Sequence, residues 1–362
     1  MEPLKEMFNE AYYKKLAEAL SKAYPTFESK AFVSRVTTGL AGLSLNQRLR
    51  NTSVVLKAFL PANYKKALAI LRKTATLTPQ GYTALVYPDF VGLYGLHDPE
   101  ASLEALKYFT VFGSSEFAVR EFLRKDIKGT LNVMRGWADD KNHHVRRLAS
   151  EGSRPRLPWS FKLDAVITDP SLTRPILEAL KQDPELYVRK SVANHLNDIS
   201  KQHPDYMLSV VKGWDLNHAG TAWIVKHASR SLIKKGHRDS LSVFDFEKNP
   251  KLRVVPLKLN RTKLHLGETL AFEFELHSEK NKAQKLVVDY IIHYHKKLGG
   301  LLPKVFKLKE LTLPAGKTLK LEKKQVFKDL TTRKHYPGRH RLEIQVNGTV
   351  VAGADFVLLP AV

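Results

Sequence analysis

The 362-residue chain contains no cysteine. A disulfide framework, a zinc ribbon and a thiol nucleophile are all excluded by that absence. The chain also has no apolar run near the roughly 18 to 20 residues that a membrane-spanning helix needs. Its start, MEPLKEMFNEAYYKK, carries no apolar signal-peptide core. We therefore expect a cytoplasmic protein with no membrane partner. Acidic residues are scarce: 36 Asp and Glu face 59 Lys and Arg, for a formal net charge of +23. That excess exceeds what solubility requires and implies a polyanionic partner, nucleic acid first and an anionic membrane surface second. Hydrophobic residues make up 43%, enough for a sizeable core and, at this length, roughly two domains.

Histidine spacing gives no metal site. His143 and His144 are adjacent and point apart on a helix, and His195 and His203 are too far apart to share a turn. His293 and His295 share a strand face, but no carboxylate pattern accompanies them. Neither a metal nor another cofactor is expected.

Residues 1–245 show mostly helical spacing, as in YYKKLAEALSKAY and PANYKKALAILRKTA. Within them a theme of Val, a basic residue and then small residues recurs at Val119–Arg120, Val145–Arg146, Val188–Arg189 and Val225–Lys226. The basic residues are separated by distances from the twenties to the forties, around the spacing of helical repeats, so an imperfect α-solenoid is expected. Stacked repeats would align Arg120, Arg146, Arg189 and Lys226 along one positive edge that binds DNA. Alternatively these pairs mark helix starts and bridge neighbouring repeats. Beyond FDFEKNPKLRVVP the pattern changes to period two, with turn signals at AGK and NGT. Residues 246–362 thus read as an all-β immunoglobulin-like sandwich of about seven strands, lacking the paired cysteines of antibody domains. Two of its loops, KKLGGLLPK and TTRKHYPGRHR with Arg333, Lys334, Arg339 and Arg341, are either DNA-contacting or ordinary hairpin loops whose charges protect strand edges.

The stretch DDKNHHVRRLASEGSRPRLPWS, residues 139–160, combines a basic helix face, a carboxylate and a proline-stiffened loop. Arg147 and Glu151 stand four apart on one helix face, and Gly152, a common helix-ending residue, follows at once. Pro155 and Pro158 restrict the backbone around Arg154, Arg156 and Trp159, so guanidinium forks and an indole are presented to phosphates and bases. Equally, Arg147 and Glu151 could form an ordinary surface pair, with Trp159 covering the next helix.

SSEFAVREFL, NHHVRRLASEGSRPRLPW and DPELYVRKSVANHLNDISKQHPD resemble the DNA alkylation repair glycosylases built from HEAT-like repeats, and more narrowly their AlkC branch. The likeness spans about residues 113–237 and is diffuse in the first hundred residues; an appended immunoglobulin-like domain occurs in part of that branch. The resemblance implies a monofunctional DNA glycosylase of base excision repair that removes cationic N-methylated bases, chiefly 3-methyladenine, with 3-methylcytosine second. Its partner would be double-stranded DNA containing alkylated bases, bound by a monomer in the bacterial cytoplasm and nucleoid. By motif position, Glu116, Glu151 and Asp198 are the catalytic carboxylates, Glu151 first, and Trp159 presses on the lesion nucleotide. Arg147, Arg154 and Arg156 would grip flanking phosphates, while Asn194, four before Asp198, would hydrogen-bond the DNA backbone or orient the acid. Two other readings remain: a non-catalytic binder of bent or damaged DNA, and a protein–protein scaffold.

Overall fold

Side-chain caps and buried stripes account for the helices. Asn9 caps α1 (Glu10–Ala23) by accepting from Tyr12 N at 2.9 Å, and the helix buries Tyr13, Leu16, Ala17 and Leu20 along one face. Such an Asx cap supplies about 1 kcal/mol, and each buried large apolar side chain about 1.5 to 3 kcal/mol. The computed structural model describes residues 3–247, 249–330 and 333–361. It continues with α2 (Ser29–Thr37), α3 (Leu45–Phe59), α4 (Tyr64–Ala75), α5 (Val86–Tyr94) and α6 (Pro99–Phe109). The central helices are α7 (Val119–Lys125), α8 (Ile127–Trp137), α9 (His143–Gly152), α10 (Asp164–Thr168), α11 (Arg174–Leu180) and α12 (Leu186–Ile199). The last four are α13 (Pro204–Lys212), α14 (Ala219–Ala228), α15 (Arg230–Lys234) and α16 (Arg238–Val243).

Packing divides the chain into two compact units. The first comprises residues 1–203 and 214–228, the second residues 204–213 and 229–362. In the first, α8 packs on α9, α9 on α12 and α12 on α14, so each helix covers the next one's apolar face in the manner of HEAT-like repeats. Among the described residues, no helix is long and apolar enough to cross a membrane.

The second unit holds the β-sandwich, with eight strands among the described residues rather than about seven. They are β1 (Leu252–Leu259), β2 (Lys263–His265), β3 (Thr269–Ser278), β4 (Gln284–His295), β5 (Leu301–Leu313), β6 (Thr318–Val326), β7 (Gly338–Val346) and β8 (Thr349–Leu359). One sheet has the order β1-β3-β6 and the other β2-β8-β7-β4-β5. The extra strand, β2, is three residues long and pairs in parallel with β8, too short to leave an alternation in the sequence. The NGT turn joins β7 to β8 with Asn347 at φ 47° and Gly348 at φ 82°, as a two-residue hairpin requires. Thr331 and Thr332 of the second basic loop lie outside the described residues.

Candidate active site

Four elements of the helical unit build the site: the loop between α6 and α7, then α9, the loop after it, and α12. Ser115 is fully buried and donates to Leu106 O at 2.7 Å, which pins the first loop to α6. The next residue, Glu116, accepts from Ser114 Oγ at 2.8 Å and from Arg147 through the same Oε2 oxygen. Arg147 projects from α9, whose first turn is capped by Asn142 accepting from His144 N at 2.9 Å. Its guanidinium also receives support from below, lying 4.9 Å from the centroid of the Tyr187 ring. One turn on, Glu151 Oε1 lies 3.5 Å from Arg147 Nη2. Arg147 thus bridges the two glutamates.

Glu151 is held at both oxygens. Arg154 Nη1 donates to Oε1 at 2.7 Å and Ser191 Oγ to Oε2 at 2.6 Å. Arg154 also donates through Nε to Asp198 Oδ2 at 2.9 Å, and Lys201 holds the other Asp198 oxygen at 2.8 Å. Glu151, Arg154 and Asp198 are all buried. Burial opposes the charge on Arg154, but the Glu151 and Asp198 carboxylates outweigh it and raise its pKa. Taking such charges out of water is costly, and only a satisfied network recovers that cost, so removing one partner here is expected to destabilise by about 3 to 5 kcal/mol. Behind the network His195 is wholly enclosed, its Nδ1 3.0 Å from Ser150 O, and burial depresses its pKa to about 3.

The loop after α9 presents Trp159, which is 74% exposed and has a left-handed φ of 65°, rare for a bulky residue. An exposed indole on strained backbone persists only where its surroundings hold it. Arg120 supplies that hold: it donates to Gly152 O at 3.0 Å, to Arg154 O at 2.7 Å and to Phe161 O. These three carbonyls bracket the loop. Glu116, Glu151, Arg147, Tyr187, Tyr82 and Trp159 line a cleft of about 420 Å³.

The structure separates the expected DNA-binding residues. Arg120 is fully buried and cannot lie on a DNA-facing edge; as the loop clamp it is structural, and burial, with Arg154 nearby, lowers its pKa to about 10. Arg146 bridges neighbouring repeats, donating to both Asp183 oxygens at 2.7 and 3.1 Å and to the Asp140 and Lys141 carbonyls. Arg189 repeats only the local half of that arrangement, donating to Asp183 O at 2.9 Å and Pro184 O at 2.6 Å in the loop before its own helix. Arg154 lies between two acids rather than toward phosphate. Arg156 is half-buried and donates to Gln202 at 2.7 Å. Lys226 is exposed in the last turn of α14, and with Arg120 buried the four theme residues do not all lie on one exposed edge. Asn194 is half-buried on α12, one turn before Asp198. Asp198 does not line the cleft.

Three further residues of the site, Tyr187, Ser191 and His195, lie within DPELYVRKSVANHLNDISKQHPD, where the resemblance gives them no role. Tyr187 had a signal, because it precedes Val188–Arg189 as His144 precedes Val145–Arg146. Ser191 and His195 face Glu151 only through the α9–α12 packing, which no local pattern encodes.

Known proteins resemble this chain along its whole length. A family described as DNA alkylation repair enzyme matches residues 103–232, and one described as the C-terminal Ig-like domain of the uncharacterised protein YhaZ matches residues 253–360. The uncharacterized protein YhaZ of Bacillus subtilis is 43% identical over 357 residues, covering 98% of this chain and 99% of that protein. The solved structure of Pseudomonas fluorescens alkylpurine DNA glycosylase AlkC, bound to DNA containing an abasic site analog, is 46% identical. It covers 99% of this chain and 100% of that one, with a TM-score of 0.96.

Proposed function

The chain belongs to the DNA alkylation repair enzyme family, in its AlkC branch, and from that premise we propose that it is a monofunctional DNA glycosylase. It hydrolyses the N-glycosidic bond of cationic N-methylated bases, chiefly 3-methyladenine with 3-methylcytosine second, in double-stranded DNA. Residues 1–245 would form the glycosylase domain and residues 246–362 the immunoglobulin-like domain, working as a monomer on cytoplasmic, nucleoid DNA.

The chemistry suits carboxylates. The C1′–N bond breaks with its electron pair passing to the base, which leaves neutral, and positive charge develops on the sugar. A water oxygen then bonds C1′ and releases its proton. Glu151, fixed at both oxygens, presents negative charge to the sugar cation without reorganising. Glu116, whose two bonds both fall on Oε2, has Oε1 to orient water or accept its proton. Asp198 acts through Arg154 as a positioning residue. Trp159 presses its face on the lesion nucleotide, where a cationic base gains from the indole.

The observation that carries this reading is the pair of glutamates joined by Arg147 in a cleft capped by Trp159. Acids inside a protein of charge +23 repel phosphate but suit a cation. Release of free bases from methylated duplex DNA, resolved by chromatography, tests it. The intact protein is expected to release 3-methyladenine, and Glu151→Gln to lose at least about a hundredfold of that rate, the usual scale for a general acid–base or electrostatic group. Tight, salt-sensitive DNA binding with no base release would instead establish a non-catalytic binder, in which Glu116→Gln and Glu151→Gln strengthen binding.

A further inference from the structure

Among the described residues that line the catalytic cleft, Tyr187 alone comes from α12. The chemistry above gives it no part. Its ring crosses the contact between α9 and α12 and meets three residues of α9. The His143 and His144 rings stand at 80° and 70° to it, with centroids 6.4 and 5.8 Å away, and the Arg147 guanidinium carbon lies over its face, 4.9 Å from the centroid. Tyr187 is 41% exposed, so it is not there to fill a core. The burial it does have raises the pKa of its hydroxyl, which leaves the ring neutral and offers Arg147 a π face rather than a charge.

Arg147 has a demanding task. Its Nη1 donates to Glu116 and to Ser114 Oγ, the latter at 3.0 Å, while Nη2 faces Glu151 at 3.5 Å. A guanidinium carries its donors in a rigid planar fork, so serving two carboxylates at once fixes its orientation as well as its position. The two acids do not share a support: Glu116 stands in the loop before α7, and Glu151 in the last turn of α9. A ring face against the guanidinium limits how far the fork can turn and takes none of its N–H groups.

We propose that Tyr187 is a positioning residue whose ring holds the Arg147 guanidinium between Glu116 and Glu151, and so sets the geometry of the two acids toward the sugar cation and the water. The proposal rests on the glycosylase reading of this site. Without the ring Arg147 keeps its charge but turns more freely, so the effect falls on the transition state rather than on DNA affinity, which is spread over many phosphates.

Single-turnover release of 3-methyladenine from methylated duplex DNA by the full chain, measured over a range of protein concentrations, tests this. Tyr187→Leu is expected to lower the saturating rate roughly 10- to 100-fold, with the half-saturating protein concentration within about twofold of the parent, and Tyr187→Phe to restore the rate, since the ring and not the hydroxyl makes the contact. Thermal unfolding checks each variant, and Tyr187→Gln, polar and of similar reach, replaces Tyr187→Leu if that chain does not fold. A readout without turnover is the Arg147 Nε–H resonance, assigned by its loss in Arg147→Lys. The ring should shift it upfield in the intact protein and in Tyr187→Phe but not in Tyr187→Leu. An unchanged saturating rate in Tyr187→Leu, a loss confined to the half-saturating concentration, an equal loss in Tyr187→Phe, or no ring shift of Arg147 in the intact protein each overturns the positioning role while base release stands. No base release by the intact protein sinks the glycosylase reading itself and this role with it.

Discussion

Arginine does two different jobs in this molecule, and Arg120 shows how far burial decides between them. Its guanidinium gives hydrogen bonds to three backbone carbonyls that close the Trp159 loop. Replacement by Met leaves those carbonyls without donors, at about 1 to 3 kcal/mol each. Denaturant unfolding of Arg120→Met should therefore show a loss of several kcal/mol, with base release failing alongside; full stability with weakened DNA affinity would instead return Arg120 to a phosphate-binding role. Arg48 is enclosed in the same way, bonded to Glu6 and to the Lys5 and Phe8 carbonyls, so the formal charge overstates what reaches the surface. His195 makes a pH prediction. Its folded pKa is about 3, depressed by burial, whereas an unfolded histidine titrates near about 6.5. The unfolded chain therefore takes the proton first, so the stability tied to this residue is complete above about pH 6.5 and falls by roughly 1.4 kcal/mol per pH unit toward pH 3. Urea unfolding at pH 7.5 and pH 5 should show that slope in the intact protein and a shallower one in His195→Gln.

At the scale of elements, α9 is where sequence and structure agree most and where the reason differs. Its helical character, its basic face and the Arg147–Glu151 pair were readable as local pattern. Gly152 also reads as a helix terminator, yet it is the last helical residue and does not adopt the left-handed conformation of a glycine cap. What demands glycine is proximity: a Cβ there would stand 2.5 Å from Val119 Cγ1 and 3.2 Å from the Met134 terminal methyl. Gly152→Ala should push α9 from α7 and α8 at a cost of about 1 to 3 kcal/mol. A melting temperature within error of the parent would show that Val119 can yield. The same limit explains the Val–basic theme. Spacing along one helix says which residues share a face, but Arg120 found its partners at the end of α9 and in the loop after it, and Arg146 an acid in the loop after α11, through packing that periodicity does not contain. In β4 the alternation of a half-buried strand is lost for a related reason. Val287, on the face opposite the sandwich core, packs with Ile233, Leu241 and Phe246, so both faces are apolar.

For the whole molecule, the change from helix to strand near residue 245 was legible because the hydrophobic period itself changes, whereas the packing of α15 and α16 with the strands was not. That packing bears on how the sandwich's contribution to DNA binding can be measured. Deleting residues beyond about 250 would uncover Ile233, Leu241 and Phe246, each worth about 1.5 to 3 kcal/mol of burial, so weaker affinity in the truncated chain would confound instability with the removal of DNA-binding groups. Charge removal on a hairpin avoids this. Lys296, Lys297 and Lys304 flank the β4–β5 turn, where Gly299 and Gly300 have φ values of 84° and 79° that other residues rarely adopt. Changing the three lysines to Gln keeps those glycines and the strand register. If this loop neutralises phosphates, the slope of log affinity against log salt should become shallower by about 0.9 for each phosphate no longer neutralised. A helical unit that binds through its own basic groups alone would leave the slope unchanged, and the lysines would then serve to keep an exposed strand edge from pairing with another chain.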